Sequence, residues 1–445
     1  MSRSSRGAHF SRFAQRDSGL RPPAFGLFLW SLFARFERSF FVMKVMPHRA
    51  TDLSSVLITA AHAVTDVSQG AFPALIPFIT LAFSLSYSQV GVLVLIQSVT
   101  SSVCQPLFGY VSDKSSKSWF IPVGVLLSGV AMGSIVWAPN YAVLVALISI
   151  SGIGSAIFHP QAMKAANRIS PPSRKGERIG LYSFGGNLGF AVGAFAMGWL
   201  LTFPGEFSNA KWIALPAILF TIVLLVFNRN VRFASHVGDK RAASVKGGGI
   251  PYAFLSILIL FIFMRSTAYS AINTYTPLFH VAVMGENSVF AGNYVSVFSI
   301  AGVLGTYFGG ILSDKIGRKR IIMSSMLLTI PLVGLIPYAR GMWAMGLAAL
   351  TGFVLVASFS STLVMAQESM RNNMGLAAGL TVGFAIGLGG VGSTILGCLA
   401  DFMTLPVLMN WFWILPLCAF FVTFMFPGDR EGGRGVKSAD EAKKI

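Results

Sequence analysis

Charged residues are scarce in this sequence. Only 11% of its 445 residues are Asp, Glu, Lys or Arg, whereas roughly a quarter is usual in a soluble domain. With 54% hydrophobic residues and a mean hydropathy of +0.68, the chain has too few charges to cover a surface that faces water. The composition therefore predicts a protein whose surface faces lipid, and we expect the lipid bilayer to be a principal partner.

Acidic residues are the scarcer of the two charge types. There are 16 of them against 34 Lys and Arg, which gives a formal net charge of +18. In a soluble protein such a balance would suggest a nucleic-acid partner. In a membrane protein, Lys and Arg collect in the loops that stay in the cytoplasm. We therefore expect no nucleic-acid partner, and the positions of the bases become a guide to topology.

The common enzyme signatures are also missing. The sequence contains no P-loop, no HExxH and no GxSxG, which argues against an ATPase, a metalloprotease and a serine hydrolase. It has no acidic pair typical of a glycosidase and no acidic ring typical of a cation channel. Its cysteines, Cys104, Cys398 and Cys418, lie in apolar runs without CxxC spacing, as small core residues do. We expect no enzyme activity, no cofactor and no metal site.

Long apolar runs are what the chain has in abundance. A helix that spans a bilayer needs about 20 mostly apolar residues, and windows of that size predict an all-α membrane protein with twelve spans. The predicted spans lie near 54–83, 88–111, 119–138, 141–163, 179–203, 210–228, 251–280, 288–312, 321–339, 342–366, 374–400 and 405–427.

A polar segment divides these spans into two groups of six. Residues 229–250 carry several bases and end near a run of three glycines, which is typical of a flexible linker. The predicted domains are an N-terminal six-helix bundle, a cytoplasmic linker, a C-terminal six-helix bundle and a cytoplasmic tail, at 53–228, 229–250, 251–427 and 428–445. Residues 1–52 form a basic cytoplasmic extension. It is either an amphipathic membrane-surface segment or the product of a start site assigned upstream of Met43 or Met46.

The bases are strongly biased to one side of the predicted topology. If the N-terminus is cytoplasmic, every Lys and Arg falls on the cytoplasmic side except Lys211, Arg340 and Arg265. Arg265 lies inside a span, so only two bases remain on the outer side. The bias predicts a multi-pass protein of a bacterial inner membrane with both termini in the cytoplasm.

Two similar segments end corresponding spans of the two halves. Gly109-Tyr-Val-Ser-Asp113-Lys114 ends the second span and Gly310-Ile-Leu-Ser-Asp314-Lys315 ends the eighth. The repeat spacing of roughly 200 residues indicates two pseudo-symmetric six-helix bundles, the arrangement found in one class of secondary transporters.

The second copy continues as Ile-Gly317-Arg318-Lys319-Arg320 and resembles the signature loop of the major facilitator superfamily, G-x-x-x-D-[RK]-x-G-[RK]-[RK]. An Asp at a helix end can accept hydrogen bonds from the N-terminus of a neighbouring helix and pair with a base. We therefore predict a gating latch on the cytoplasmic face. Its residues are Asp113, Lys114, Gly310, Asp314, Lys315, Gly317 and Arg318. The alternative is a basic loop that serves only as a topology signal.

Two charges lie well inside predicted spans, Asp66 in the first and Arg265 in the seventh. Ionised groups in hydrocarbon are costly, so they normally face a cavity or a partner. We predict that Asp66 carries the coupling proton, that His62, one turn earlier, assists it, and that Arg265 holds an anionic group of the substrate. The alternatives are a static Asp66–Arg265 ion pair and a His62 buried for structural reasons.

Weaker candidates complete the predicted site. His159 precedes Pro160 near the predicted cytoplasmic mouth, where it could gate the path, cap a helix or pack at an interface. Polar residues within spans are candidates for substrate binding, namely Gln97, Gln105, Asn187, Asn273 and Tyr275. Gly185, Gly189 and Gly193 recur every four residues and predict close helix contact.

The first half also resembles the fosmidomycin resistance protein family. The resemblance is carried by His62-Ala-Val-Thr-Asp66, Phe72-Pro-Ala-Leu-Ile-Pro77-Phe78, Tyr87-Ser-Gln89-Val-Gly91, Gln105-Pro-Leu107, Gly152-Ile-Gly-Ser155, Phe158-His-Pro160 and Gly185-Gly-Asn187-Leu-Gly189. It implies an inner-membrane, proton-driven exporter of small drugs and metabolites. It also implies a cavity between two halves, with the family's paired His and Asp at His62 and Asp66.

The sequence thus favours a proton-coupled antiporter that exports a small organic compound or drug by alternating access, and we expect a monomer. The alternative is a symporter that takes up a small organic anion with Arg265 as its anchor. A membrane receptor on a transporter fold is a third class, but no added soluble domain or long structured loop is evident to support it.

Overall fold

The computed structural model describes residues 49–114, 119–170, 175–227, 252–369 and 384–426. The predicted N-terminal extension up to residue 48, the linker 229–250 and the tail 428–445 lie outside these ranges. The domain boundaries placed in those segments therefore stay predictions.

Within the described ranges the chain forms twelve helices that are long and apolar enough to cross a membrane. In chain order, α1 to α12 are Leu53–Phe83, Tyr87–Val111, Phe120–Trp137, Tyr141–Ile169, Arg178–Leu200, Glu206–Val226, Ala253–Ala282, Ser288–Ile316, Arg318–Tyr338, Gly341–Ala366, Phe384–Met403 and Leu405–Thr423. The prediction of an all-α membrane protein with twelve spans is confirmed.

Two helices run further than the sequence predicted. Helix α4 ends at Ile169 rather than near 163, and α8 ends at Ile316 rather than near 312. A hydropathy window closes at the first charged residue, here Lys164 in α4 and Asp314 in α8. An α-helix satisfies its own backbone groups and continues past the hydrocarbon as long as its residues favour it.

Short polar caps set the turns on the side where α1 ends. Ser86 forms a capping box with Gln89 at the start of α2. Asn140 Oδ1 accepts from Val143 N at 3.0 Å to begin α4, and Asn287 Oδ1 accepts from Phe290 N at 2.9 Å to begin α8. Each cap satisfies a backbone N–H that the first helical turn leaves free, so the chain can reverse in a few residues.

Glycines bring α1 and α5 into backbone contact. A Cβ atom added at Gly185, Gly189 or Gly193 would lie against the carbonyl oxygen of Thr59, Ala63 or Val67, respectively, each on α1. The four-residue glycine spacing therefore permits the close helix contact that the sequence predicted.

Hydrogen bonds join the first six helices to the last six at the end where α2 begins. Thr394 Oγ1 on α11 donates to Gly91 O on α2 at 3.0 Å, and Ser296 Oγ on α8 donates to Ala191 O on α5 at 2.8 Å. The carboxylate of Asp401 on α11 accepts from the backbone N–H groups of Tyr87 and Ser88, at 2.7 and 2.8 Å.

These four hydrogen bonds hold the two halves together at the end that carries Asp401, which is the predicted outer side. The structure is therefore closed at that end.

Candidate functional site

Two histidines bracket the carboxylate of Asp66. His62 Nε2, one helical turn earlier on α1, lies 3.2 Å from Asp66 Oδ2. His159 Nε2, on α4, lies 3.4 Å from Asp66 Oδ1. Between 11% and 21% of each of these three side chains is exposed, so the cluster is largely withdrawn from solvent. We refer to His62, Asp66 and His159 as the His–Asp–His cluster.

One hydrogen bond fixes the tautomer of His62. Its Nδ1 atom lies 2.8 Å from the carbonyl oxygen of Tyr182 on α5. Because a carbonyl oxygen only accepts hydrogen bonds, Nδ1 must carry a hydrogen. Nε2 is therefore the ring atom of His62 that gains or loses a proton, and it faces Asp66.

Aromatic rings enclose this side of the cluster. The Tyr182 ring is stacked on the His62 ring with centroids 4.1 Å apart, and the Phe158 ring lies 6.0 Å from it. The His159 ring also lies close, with its centroid 5.1 Å from that of His62, so the imidazole is surrounded by rings and meets Asp66 through Nε2.

The two oxygens of Asp66 differ in their contacts. Oδ1 is buried and lies 3.4 Å from His159 Nε2, but it accepts no hydrogen bond of good geometry from the described residues. A buried polar atom without a hydrogen bond is costly. A proton or a polar group of a substrate on Oδ1 would remove that cost.

Each residue of the cluster contributes one side-chain nitrogen or oxygen atom, and these three atoms all lie within 4.8 Å of one another. This spacing is compatible with shared protons and also with a bridging metal ion. The contact of 3.2 Å between His62 and Asp66 needs only a proton, so we interpret the cluster as a proton site and include a chelator in its test.

His159 lies deeper than the sequence indicated. It was expected near the cytoplasmic mouth because the fourth span was predicted to end near 163. Since α4 continues to Ile169, His159 lies well inside the helix and contacts Asp66. Its predicted gating role stays a prediction, and its position makes it a direct partner of the carboxylate.

The structure does not pair Asp66 with Arg265. Among the described residues, the ion pairs of Asp66 are those with the two histidines. Arg265 on α7 is 5% exposed, and its Cζ atom lies 5.2 Å from the centre of the Phe359 ring on α10. Its Nε atom has no hydrogen-bond partner in the described parts of the chain. The alternative of a static ion pair between α1 and α7 is therefore wrong for this conformation.

Of two polar residues predicted in α2, one joins a hydrogen-bond network with α1. Gln97 on α2 donates a hydrogen bond to Gln69 on α1, and Gln69 Nε2 reaches Ser128 Oγ on α3 at 3.4 Å. Gln105 instead donates to Ser101 O within its own helix, at 2.8 Å. Gln97 is thus linked to the helix that carries Asp66, whereas Gln105 is not.

The other predicted substrate contacts lie elsewhere. Tyr275 is fully buried, and its hydroxyl donates to Ser393 O at 2.6 Å, which joins α7 to α11. Asn273 is buried, and its Oδ1 atom finds no hydrogen-bond partner among the described residues. Asn187 is exposed and donates to Ser183 O at 2.9 Å. In this conformation Tyr275 acts as a helix-to-helix link, and the roles of all three in substrate binding stay predictions.

The signature loop is only partly described. Gly317 has a φ of +103° and begins α9 directly after α8, which explains why glycine is needed there. Asp314 and Lys315 are exposed, and Arg318 is half-buried. Gly310 lies against Ser360 of α10. In the described parts of the chain no ion pair involves Asp314, and the side chains of Asp113 and Lys114 lie outside them, so the latch stays a prediction.

The sequence analysis missed several residues of this region. Gln69 had a signal, since it is a polar residue in an apolar span, one turn after Asp66. Asp401 lies one residue beyond the predicted eleventh span, so it did not stand out as a charge inside a span. Tyr182 and Gly186 gave no signal in the sequence, because their role depends on how α5 packs against α1.

Comparison with known proteins gives a consistent result. The family model described as Major Facilitator Superfamily matches residues 58–394. An uncharacterized MFS-type transporter, YfnC, from Bacillus subtilis (strain 168) is 31% identical over 390 residues, covering 84% of this chain and 93% of that protein. The fosmidomycin resistance protein of Escherichia coli (strain K12) is 29% identical over 374 residues, covering 83% and 91%.

A solved structure shares the fold. It is a bacterial homolog of the human lysosomal transporter Spinster, in an inward-facing and occupied conformation, and it is 15% identical in sequence. The TM-score is 0.73, and the match covers 86% of this chain and 97% of that one.

Proposed function

Because the chain belongs to the Major Facilitator Superfamily, and is therefore a membrane transporter rather than an enzyme, we propose that it exports a small organic compound in exchange for protons. The observation that carries this proposal is the His–Asp–His cluster. An exchanger needs a buried group that binds a proton from one side and gives it up when substrate or a new conformation arrives. Asp66 is such a group, with His62 Nε2 beside one oxygen and His159 Nε2 beside the other.

The export direction has separate support. The relative named for fosmidomycin resistance is named for protection against a drug, which export provides. The distribution of bases supports both termini in the cytoplasm of a bacterial inner membrane. With that topology the Asp401 end, where hydrogen bonds join the two halves, faces outward, so this conformation is closed to the outside. We retain the expectation of a monomer.

Alternating access supplies the coupling in this scheme. Substrate enters between the two six-helix halves from the cytoplasm and displaces the proton that Asp66 shares with the histidines. Opening at the Asp401 end then releases the substrate and lets a proton return to Asp66 from outside. The proton gradient drives this cycle, and the different proton affinities of the two states couple it to the substrate.

Arg265 favours a second candidate, uptake of a small organic anion together with protons. A buried guanidinium is costly unless it is paired, and the described residues give Arg265 a ring contact but no acidic partner. An anionic substrate would supply the missing charge. The direction of proton movement separates this symporter from the antiporter.

A proteoliposome assay tests the proposal. Liposomes with a pH-sensitive dye inside are supplied with a panel of neutral, cationic and anionic compounds. We expect a transported compound to change the internal pH with wild-type protein but not with Asp66→Asn. Glu286→Gln, at a half-buried acid outside the cluster, is the matched control and should behave as wild type. A chelator should change nothing.

Two results would contradict the proposal. One is transport of a compound by the wild type without any proton movement. The other is an unchanged proton signal from Asp66→Asn. A wild-type signal in the symport direction would instead support the second candidate.

A further inference from the structure

Gly186 differs from the other glycines of α5 in what surrounds it. At Gly185, Gly189 and Gly193 an added Cβ would meet backbone carbonyls of α1, so those glycines serve helix packing. At Gly186 the nearest atoms belong to side chains of the cluster. They are Cε1 and Nε2 of His62, and Asp66 Oδ2 at 2.7 Å from the Cβ position.

A methyl group at Gly186 cannot share this space with the cluster. Real Cβ atoms are not found closer than 3.0 Å to other heavy atoms, so His62 and Asp66 would have to move. His62 has little freedom to do so, because its Nδ1–H is bonded to Tyr182 O and its ring is stacked on the Tyr182 ring. The ring would have to leave one of its contacts, and the contact with Asp66 lies on the crowded side.

Tyr182 and Gly186 act on opposite edges of the same imidazole. Tyr182 O binds Nδ1 and so leaves Nε2 as the proton-exchanging atom. Gly186, one helical turn later, lies against Cε1 and Nε2 and leaves the space in which that atom meets Asp66. One turn of α5 therefore sets both the tautomer and the position of His62.

We infer that Gly186 is a positioning residue of the proton site. Because it has no side chain, His62 Nε2 can lie against Asp66, and this contact sets the pH at which the transporter exchanges its proton. This role is distinct from the packing glycines on the neighbouring face. It rests on the proposed proton coupling only for its effect on transport, since the crowding follows from geometry alone.

A double-mutant cycle on thermal stability tests the geometry without any transport assay. Gly186→Ala and Gly185→Ala are each made in the wild type and in His62→Ala. Removing the His62 ring relieves most of the crowding at residue 186 but none at residue 185, whose Cβ would meet Thr59. We expect His62→Ala to remove more than half of the loss in unfolding temperature caused by Gly186→Ala. The loss caused by Gly185→Ala should be the same in both backgrounds.

The transport readout is the pH profile. In proteoliposomes, Gly186→Ala should shift the pH midpoint of transport, because the methyl group displaces His62 from Asp66 and so changes the interaction that holds the proton. We expect a shift of about 1 pH unit, which a modest change in that interaction produces. Active Gly185→Ala protein should keep the wild-type midpoint, since its contacts do not touch the cluster. A purely structural glycine would lower the amount of active protein without moving the midpoint.

The two readouts separate the two proposals. Coupling in the thermal cycle without any pH-dependent transport would leave the positioning role intact and contradict the proposed proton coupling. Equal losses for Gly186→Ala with and without His62 would overturn the positioning role. So would failure of both Gly186→Ala proteins to fold, because removing the ring would then have given no relief.

Discussion

Asp401 provides the most quantitative prediction about the conformational equilibrium. Its carboxylate, on α11, accepts two short hydrogen bonds from the first backbone N–H groups of α2, at 2.7 and 2.8 Å. These bonds join the two six-helix halves at one end and cannot persist once that end opens. Asp401→Ala should therefore destabilise the observed conformation relative to one open at the Asp401 end.

The size of the effect follows from the type of bond. Hydrogen bonds to charged groups contribute about 1.5–3 kcal/mol when buried, but Asp401 is exposed. The scale for helix N-terminal caps, about 0.5–2 kcal/mol, is therefore more appropriate. Because Asp401 caps two N–H groups, we expect a loss in the upper part of this range, about 1–2 kcal/mol, which shifts a two-state ratio by about 5- to 30-fold.

Pulsed electron spin resonance between two labels measures this ratio. We would replace Cys104, Cys398 and Cys418 by Ser and label Pro139→Cys, in the turn before α4, and Met342→Cys, at the start of α10. The two labels lie in different halves at the Asp401 end. Asp401→Ala should increase the population with the longer distance by about 5- to 30-fold. Glu206→Ala removes an exposed acid on the same side and should leave the distribution unchanged. An unchanged distribution in Asp401→Ala would refute the reasoning.

Three further predictions concern single side chains. Arg265→Gln should raise KM for an anionic substrate and leave KM for a neutral substrate unchanged. An equal change in KM for anionic and neutral substrates would exclude a charge-recognition role. Gly189→Leu should prevent folding as judged by size-exclusion chromatography, because an added Cβ would lie against Ala63 O. Gly180→Leu should fold, because no atom of the described residues lies within 4 Å of its Cβ position. A well-folded Gly189→Leu would contradict the contact. Tyr275→Phe should lower the free energy of unfolding by about 1 kcal/mol, because the hydrogen bond to Ser393 O is lost, and it should not change KM. An increase in KM would show that the hydroxyl contacts substrate.

The helices were predictable because lipid imposes simple rules on sequence. Each span must be apolar and about 20 residues long, so twelve runs could be counted directly. The ends of α4 and α8 were not predictable by the same rule, because hydropathy reports the thickness of the hydrocarbon and not where helical hydrogen bonding stops. His159 was misplaced for this reason.

The site was predictable only where chemistry was visible along the chain. Asp66 stood out as an acid in an apolar span, and His62 shares its helix face one turn away. Asp66 and His159 are far apart in sequence, and their contact depends on how α1 packs beside α4. Gly186 resembled its packing neighbours in sequence, and only the rotation of α5 assigns it to the cluster.

The same limit applies to Arg265. Its isolation in an apolar span suggested either a partner or a substrate role, and the sequence could not choose between them. The structure pairs Asp66 with the two histidines instead, which leaves Arg265 free of that carboxylate and keeps an anionic substrate as the open hypothesis for its charge.

Counterflow in Asp66→Asn proteoliposomes tests the central claim most directly. Exchange of labelled for unlabelled substrate needs alternating access but no net proton movement, whereas accumulation against a gradient needs proton coupling. If Asp66 is the coupling carboxylate, the variant should retain counterflow and lose proton-driven accumulation. Proton-driven accumulation at the wild-type rate in Asp66→Asn would contradict the account.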